Sequence, residues 1–333
     1  MLNWGFIGAG LAARAAMAPA VHQSRLGTLR IAAARDRRRA EALSPQKQST
    51  DYEDVLADDA VDVVYISLSN ESHLAWCVKA LEAGKHVLCE KPLALSAAQV
   101  DRLAEAADRT GRTVSEAMWY RWHPRMRAAE RIAASFGPGA HTEATFAVHR
   151  TDHANYRWDP ARGGGALYDL GGYVLSAVLA LNGWQAPRIV SSAMTTGPTG
   201  VDTSTTASLA WDNGATAEVH VSFTAERPHE VLDLRGAGEQ LSLPDWPFSA
   251  VARDTVHLVH RHRSGRKAVS EYSDVNAYRL MVDEFNRVVS GEDGRHGESG
   301  ELVERAWTMP LAESRAVAAL SEAVAHEASS KEN

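Results

Sequence analysis

From Met1 to about Glu116 the chain alternates continuously apolar runs of strand length with longer segments of helical character. The runs Leu2–Ile7, Leu29–Ala34, Val61–Ile66, His86–Cys89 and Thr113–Glu116 lack the polar alternation of a strand with one wet face. Between them, Ala13–Ser24, Arg37–Leu43, Glu71–Ala83 and Ser96–Thr110 are long enough to cross over a sheet as helices. The pattern predicts a doubly wound parallel sheet covered on both faces.

Past about residue 140 the pattern turns antiparallel. Thr205–Trp211 and Ala215–Phe223 flank Asn213-Gly214, a strong hairpin signal. Further strands are expected at Thr142–His149, Arg188–Thr196, Glu230–Arg235, Glu239–Leu243, Thr255–His262 and Lys267–Tyr272. Helices are expected at Ala277–Ser290 and Ser299–Leu320, the second disturbed by Pro310, with fraying from about His326. The expected fold is α/β: a parallel-sheet domain over 1–121, then an α+β domain over 122–333 with a large, mostly antiparallel open sheet. A length of 333 residues supplies two such cores.

Acidic residues outnumber basic ones 42 to 35, giving −7. That balance argues against a whole-surface binder of nucleic acid or anionic membrane. No apolar run of about 18 residues suggests a membrane span, and no basic leader precedes the first strand, so a cytoplasmic location is the default expectation. Cys77 and Cys89 lie in apolar stretches and read as buried thiols, without zinc-site spacing. His149 and His153 are separated by an expected strand end. His257, His260 and His262 interleave with Arg261 and Arg263, reading as a solvated strand. Metal ligation would need convergent acids or cysteines, which no spacing identifies, so no metal is expected.

The residues Gly8-Ala9-Gly10-Leu11-Ala12-Ala13 read G-x-G-x-x-A, directly after the first strand and before the first helix. The first glycine permits a tight turn, the second lets the backbone approach a pyrophosphate, and the small third residue allows close helix–strand packing. The helix start then offers free N–H groups to phosphate oxygens. About 20 residues on, where an acid would hold the ribose of NAD, the chain reads Ala33-Ala34-Arg35-Asp36-Arg37-Arg38-Arg39. Arginine presents a planar fork to a 2′-phosphate, which favours NADP, with NAD as the alternative. Two other readings stay open for this run, a solvated basic helix start and a nucleic-acid patch. Asp36, shifted by one residue, is a rival ribose ligand.

The run Ala83-Gly84-Lys85-His86-Val87-Leu88-Cys89-Glu90-Lys91-Pro92 closely resembles the glucose–fructose oxidoreductase / inositol dehydrogenase / MocA family of NAD(P)-dependent oxidoreductases. So do Glu116-Ala117-Met118-Trp119-Tyr120-Arg121-Trp122-His123-Pro124 and Gly163-Gly164-Gly165-Ala166-Leu167-Tyr168-Asp169-Leu170-Gly171-Gly172-Tyr173, in the same order. The resemblance is strong to about residue 185 and by pattern beyond it. Its motifs look most like the NADP-dependent dihydrodiol and D-xylose dehydrogenase branch and the sugar 3-ketoreductases. It implies an N-terminal Rossmann domain, a second domain whose open sheet pairs into homodimers or homotetramers, and hydride transfer to or from a sugar, cyclitol or related polyol.

The same resemblance implies that Lys91 reaches both nicotinamide and substrate oxygen, and that its bond to Pro92 is cis. It assigns cofactor contacts to Gly8, Gly10, Leu11, Ala12, Ala34, Arg35, Arg39, Ser67, Leu68, Asn70, His73, Glu90, Lys91, Trp119 and Arg121. Independently, a lysine just after a parallel strand stands where ligands bind in such sheets. Asp169 and Tyr173 are four apart and share a face of any helix opening near Asp169. Many members carry D-x-G-x-H there, with histidine moving the proton; here Tyr173 takes that place. A phenol near pKa 10 beside an ammonium such as that of Lys91 is drawn toward working pH. Asp169 is expected to orient Lys91 or a substrate hydroxyl, with helix capping as its bland alternative.

Substrate contacts fall to Lys91, Trp119, Trp158, Asp169 and Tyr173, the tryptophans offering flat faces to sugar C–H groups. Two departures matter. Leu68-Ser69-Asn70 replaces the family's T-P-N, and the Gly171-Gly172 pair loosens the backbone beside Tyr173. Rival readings are a ketoreductase for a nucleotide-linked deoxysugar or antibiotic sugar, an NAD-recycling glycosidase of related fold, and a non-catalytic cofactor-binding regulator.

Overall fold

Strands β1 (Leu2–Ile7), β2 (Gly27–Ala33), β3 (Lys47–Ser49), β4 (Val63–Ile66), β5 (His86–Cys89) and β6 (Val114–Glu116) form one parallel sheet in the order β3-β2-β1-β4-β5-β6. They belong to a computed structural model that describes residues 1–291 and 306–330. The Val-Val-Tyr-Ile sequence of β4 is buried along its whole length, as a strand with helices on both faces requires. Helices α1 (Ala18–Gln23), α2 (Arg37–Glu41), α3 (Glu53–Ala57), α4 (His73–Glu82) and α5 (Ala97–Thr110) connect the strands. Every expected strand and crossover helix of this region is present, with ends shifted by a few residues.

The second sheet holds β7 (His141–His149), β8 (Arg188–Thr196), β9 (Asp202–Ala210), β10 (Thr216–Ser222), β11 (Thr224–Gly236), β12 (Glu239–Ser242), β13 (Val256–Arg261) and β14 (Lys267–Tyr272). Their order is β14-β13-β12-β11-β7-β10-β9-β8, antiparallel except for β7 beside β10. The Asn-Gly hairpin forms with Gly214 at φ 81° and Asn213 Oδ1 accepting from Ala215 N. Helix α6 (Pro124–Ala133) packs on β12, β13 and β14, and α7 (Gly172–Leu181) packs on β7 and β10. The helical run Pro160–Leu181 is apolar and long enough to cross a bilayer, contrary to the sequence expectation, but 89% of its apolar window is buried. It is the core helix of this sheet.

The chain divides into two units, and the division departs from a single cut at 121/122. One unit comprises Met1–Ala94, Ala98–Trp119 and Asn276–Ser314; the other comprises Leu95–Ala97, Tyr120–Val275 and Arg315–Asn333. Helix α8 (Ala277–Val289) therefore returns to the parallel sheet. Its buried face carries Met281, Val282, Phe285 and Asn286. Asn286 Oδ1 accepts the Trp4 indole N–H at 3.0 Å, and Phe285 lies 5.9 Å from the Trp4 ring. Helix α9 spans Leu311–Ser329. Pro310 is thus not a kink but the residue before the helix, its carbonyl accepting from Glu313 and Ser314. The expected start at Ser299 lies outside the described residues, and the helix runs past His326 instead of fraying there.

Candidate active site

In the first unit, the loops leaving β1, β4 and β5 meet at the carboxyl edge of the parallel sheet. Gly8 follows Ile7 at φ 94°, and a Cβ there would lie 2.3 Å from the Ser67 carbonyl oxygen. At Gly10 a Cβ would lie 2.8 Å from Ser67 Oγ. Gly8 is therefore demanded by the β4 loop before any ligand is considered, whereas the crowding at Gly10 is with a serine hydroxyl that can rotate away. Ala13 is buried, as close helix packing requires, and the helix is π-wound over Ala13–Met17 before continuing as α1. Leu11 stands 73% exposed at the turn, where the first helical N–H groups lack intrahelical partners. Gly8→Ala is expected to cost about 2 kcal/mol or more, from the strained φ and the carbonyl collision. Urea unfolding measures it, and a parent-like midpoint would refute the crowding.

The basic run resolves into separate tasks. Arg39 Nη2 donates to the Ala9 carbonyl at 2.9 Å, which sets that guanidinium on the glycine turn. Asp36 Oδ1 accepts from Arg38 N at 2.9 Å as the N-cap of α2, so its carboxylate serves its own helix. Arg37 pairs with Glu41 at 3.2 Å. Arg35 follows the buried Ala34 and is exposed at the end of β2.

The Lys91 loop is held at every residue around the lysine. Glu90 N donates to the Ile66 carbonyl, and the Glu90 carboxylate accepts from Tyr65 OH at 2.6 Å. Burial, then the Glu90 charge, raises the Tyr65 pKa well above its usual range. The Lys91–Pro92 bond is cis. His73, fully buried, sets Nδ1 2.7 Å from the Pro92 carbonyl and Nε2 3.3 Å from that of Leu68. Burial lowers its pKa. Glu116 Oε1 accepts from Leu93 N at 3.0 Å, and burial raises that carboxyl's pKa. Lys91 itself is 9% exposed. Trp119 stacks on Tyr278 of α8 at 4.7 Å and 14°. Asn70 is buried in the short 3₁₀ turn that precedes α4.

In the second unit, Leu167–Gly171 is π-wound and runs directly into α7. Leu167 N donates to Asp202 Oδ2 at 2.9 Å, which ties down the start of the helix. Gly171 and Gly172 have ordinary helical torsions. A Cβ at Gly171 would crowd Leu167 Cδ1 at 2.8 Å, so that glycine provides room and not backbone freedom. Tyr173 is 8% exposed, its ring packed against Tyr120, Phe146 and Phe248. Tyr120 OH donates to the Tyr173 carbonyl at 3.2 Å.

Asp169, 4% exposed, does not cap the helix. Its Oδ2 accepts from Arg150 Nη2 at 2.6 Å and its Oδ1 from Arg157 Nε at 2.7 Å. Burial disfavours the Arg157 cation, yet the Asp169 charge and hydrogen bond, with Tyr156 and Tyr173 acting in the same sense, together outweigh it and the pKa is raised. Local spacing gives no sign of Arg150 or Arg157, which lie 19 and 12 residues from Asp169. Arg121 is buried, donates to Glu130 Oε1 at 3.0 Å and stacks over Trp184. Trp158 is also buried, between His153 and Phe223.

Two family models match the chain. Residues 2–118 match an oxidoreductase family with an NAD-binding Rossmann fold, and residues 126–241 match a GFO/IDH/MocA C-terminal domain. A D-xylose 1-dehydrogenase (NADP(+)) of Haloferax volcanii is 34% identical over 284 residues, 83% of this chain and 86% of that enzyme. The trans-1,2-dihydrobenzene-1,2-diol dehydrogenase of Bos taurus is 33% identical over 231 residues, 67% of each chain. The fold is shared with KijD10, a 3-ketoreductase of Actinomadura kijaniata crystallised with NADP and TDP-benzene. That match has a TM-score of 0.85 and 24% identity, covering 98% of this chain and 97% of the other. The parallel sheet with its glycine turn, the mostly antiparallel second sheet and these matches place the chain in the GFO/IDH/MocA oxidoreductase family.

Proposed function

We propose that the protein is an NADP-dependent oxidoreductase acting on a hydroxyl or carbonyl carbon of a sugar, cyclitol or related polyol. The observation that carries this reading is the convergence of Gly8, Ser67 and Lys91 at one carboxyl edge of the parallel sheet, where such sheets bind ligands. The nucleotide fits the donor set there: a glycine turn too crowded for a side chain at Gly8, a helix start, and an exposed Leu11 for it to cover. Gly8, Gly10, Leu11 and Ala12 would hold the pyrophosphate, Arg35 and Arg39 the 2′-phosphate, and Ala34, Ser67, Leu68, Asn70 and Glu90 the rest. Bound there, nicotinamide supplies the hydride acceptor or donor.

The chain's own residues then manage charge and proton. Lys91 offers its ammonium to the substrate oxygen, stabilising negative charge that develops as hydride leaves the carbon. Tyr173 takes the hydroxyl proton in oxidation and returns it in reduction. Asp169 pairs with Arg157, whose positive charge interacts with that phenol and favours negative charge on its oxygen. His73 and Arg121, enclosed and engaged by neighbouring groups, act as braces in this reading. Trp119 and Trp158 remain the proposed flat walls for substrate. We read the exposed face of the second sheet as the surface through which the chain pairs into a homodimer or homotetramer.

A panel of sugars and polyols with NADP or NAD, followed by reduced-nicotinamide absorbance, tests the reading. Turnover with a polyol and NADP is expected. Turnover confined to nucleotide-linked keto sugars would replace the substrate class, and cofactor binding without any turnover would favour a regulator. Arg35→Ala is expected to raise the KM for NADP by about tenfold or more, a lost charge-assisted contact, with little change for NAD. Equal changes for both would remove the NADP assignment.

A further inference from the structure

The histidines of β13 are not the solvated strand face that their sequence suggests. Along β13, Val256, Leu258 and His260 alternate inward, so His260 occupies a core position, at 8% exposure. His262 continues the same face at the rim, since side chains two apart share a side. On the neighbouring strand, Leu241 is paired with His260 and Gln240 with Arg261. That register puts Glu239, the first residue of β12, on this same face. The turn before it, Ala237-Gly238, has positive φ at both residues, the geometry of a tight two-residue hairpin. Two hairpin ends thus deliver Glu239, His260 and His262 to one point.

There the rings of His260 and His262 lie 3.8 Å apart, and one ligand atom from each of the three residues falls within 4.8 Å of the others. Among the described residues, buried His260 Nε2 has no hydrogen-bond partner; Glu239 Oε2 stops at 3.8 Å. A buried polar atom left unmade costs free energy unless something completes it. The Phe136 ring, 6.0 Å away, cannot do so.

We propose that Glu239, His260 and His262 form a binding site for a divalent transition metal of the zinc class. Two imidazoles and one carboxylate are a zinc donor set, and a tetrahedral shell holds ligand atoms about 3.4 Å apart. Small side-chain rotations close the present spacing to that value, on strands that hold the backbone in place. Arg266 Nη2 contacts His262 Nε2 at 3.1 Å, and Arg261 and Arg263 add positive charge nearby. All three arginines are exposed, so their repulsion is screened by solvent. Arg266 can swing away, or His262 can bind through Nδ1. Metal bound there would pin the two hairpins together.

The test uses the untagged full-length protein, stripped with a chelator and titrated with Zn²⁺ by calorimetry, and with Co²⁺ for its tetrahedral absorption bands. About one equivalent per chain is expected. Affinity should fall by about tenfold or more in His262→Ala and in Glu239→Gln. His257→Ala, on the other face of β13, should bind as the parent does. Zinc should also protect His262 of the parent from carbethoxylation, a readout that needs no variant to fold. No stoichiometric uptake, no protection of His262, or parent-like affinity in both ligand variants would each overturn the proposal.

Discussion

Lys91→Ala is expected to lower kcat by about 10²- to 10⁴-fold, the range for removing a group that stabilises charge or moves a proton in the transition state. Its effect on NADP affinity should be smaller than about fivefold, because the nucleotide is gripped elsewhere. The selectivity follows from how the loop is built. Glu90 is tied to Ile66 and Tyr65, the Pro92 carbonyl to His73, and Leu93 N to Glu116. None of those bonds uses the lysine side chain, so alanine removes the ammonium and leaves the scaffold in place. Steady-state kinetics and a fluorescence titration with NADP separate the two quantities. Parent-like turnover in this variant would end the proposed mechanism, whereas an equal loss of cofactor binding would make Lys91 a cofactor anchor only.

The same loop shows why part of the site was legible in the sequence and part was not. Gly8, Gly10 and Lys91 belong to contiguous motifs next to apolar strands, so their placement at one sheet edge followed from strand pattern alone. His73 and Glu116 reach the loop from 19 and 23 residues away, and no periodicity links them to it. Arg150 and Arg157 escaped notice for the same reason, since a carboxylate's partners depend on how loops fold back. The three-residue strand β3, Lys-Gln-Ser, is too short and polar to produce an apolar signal. The return of α8 defeated a single domain boundary, because pairing of Asn286 with Trp4 spans 282 residues. In β13 the alternation was visible, but the acid facing its histidines came from another strand.

Tyr173→Phe should preserve the fold and lose about 10²- to 10⁴-fold in kcat. Three aromatic rings enclose the side chain, and Phe keeps the six-membered ring that Tyr120, Phe146 and Phe248 pack against. The helix around it is pinned through backbone and neighbours, by Tyr120 OH on the Tyr173 carbonyl and Ser176 Oγ on that of Gly172. Only the hydroxyl is lost. If that hydroxyl carries the proton, the variant must also lose the pH dependence that its titration imposes on kcat in the parent. A general loosening of the site would leave that dependence in place. Arg157→Gln gives the independent check, because it removes positive charge that Asp169 holds near the phenol. Losing that charge makes the phenol harder to ionise, so the parent's pH dependence should move to higher pH while the Phe variant has none to move. Parent-like kcat in Tyr173→Phe would return the residue to a packing role and require another acid or base.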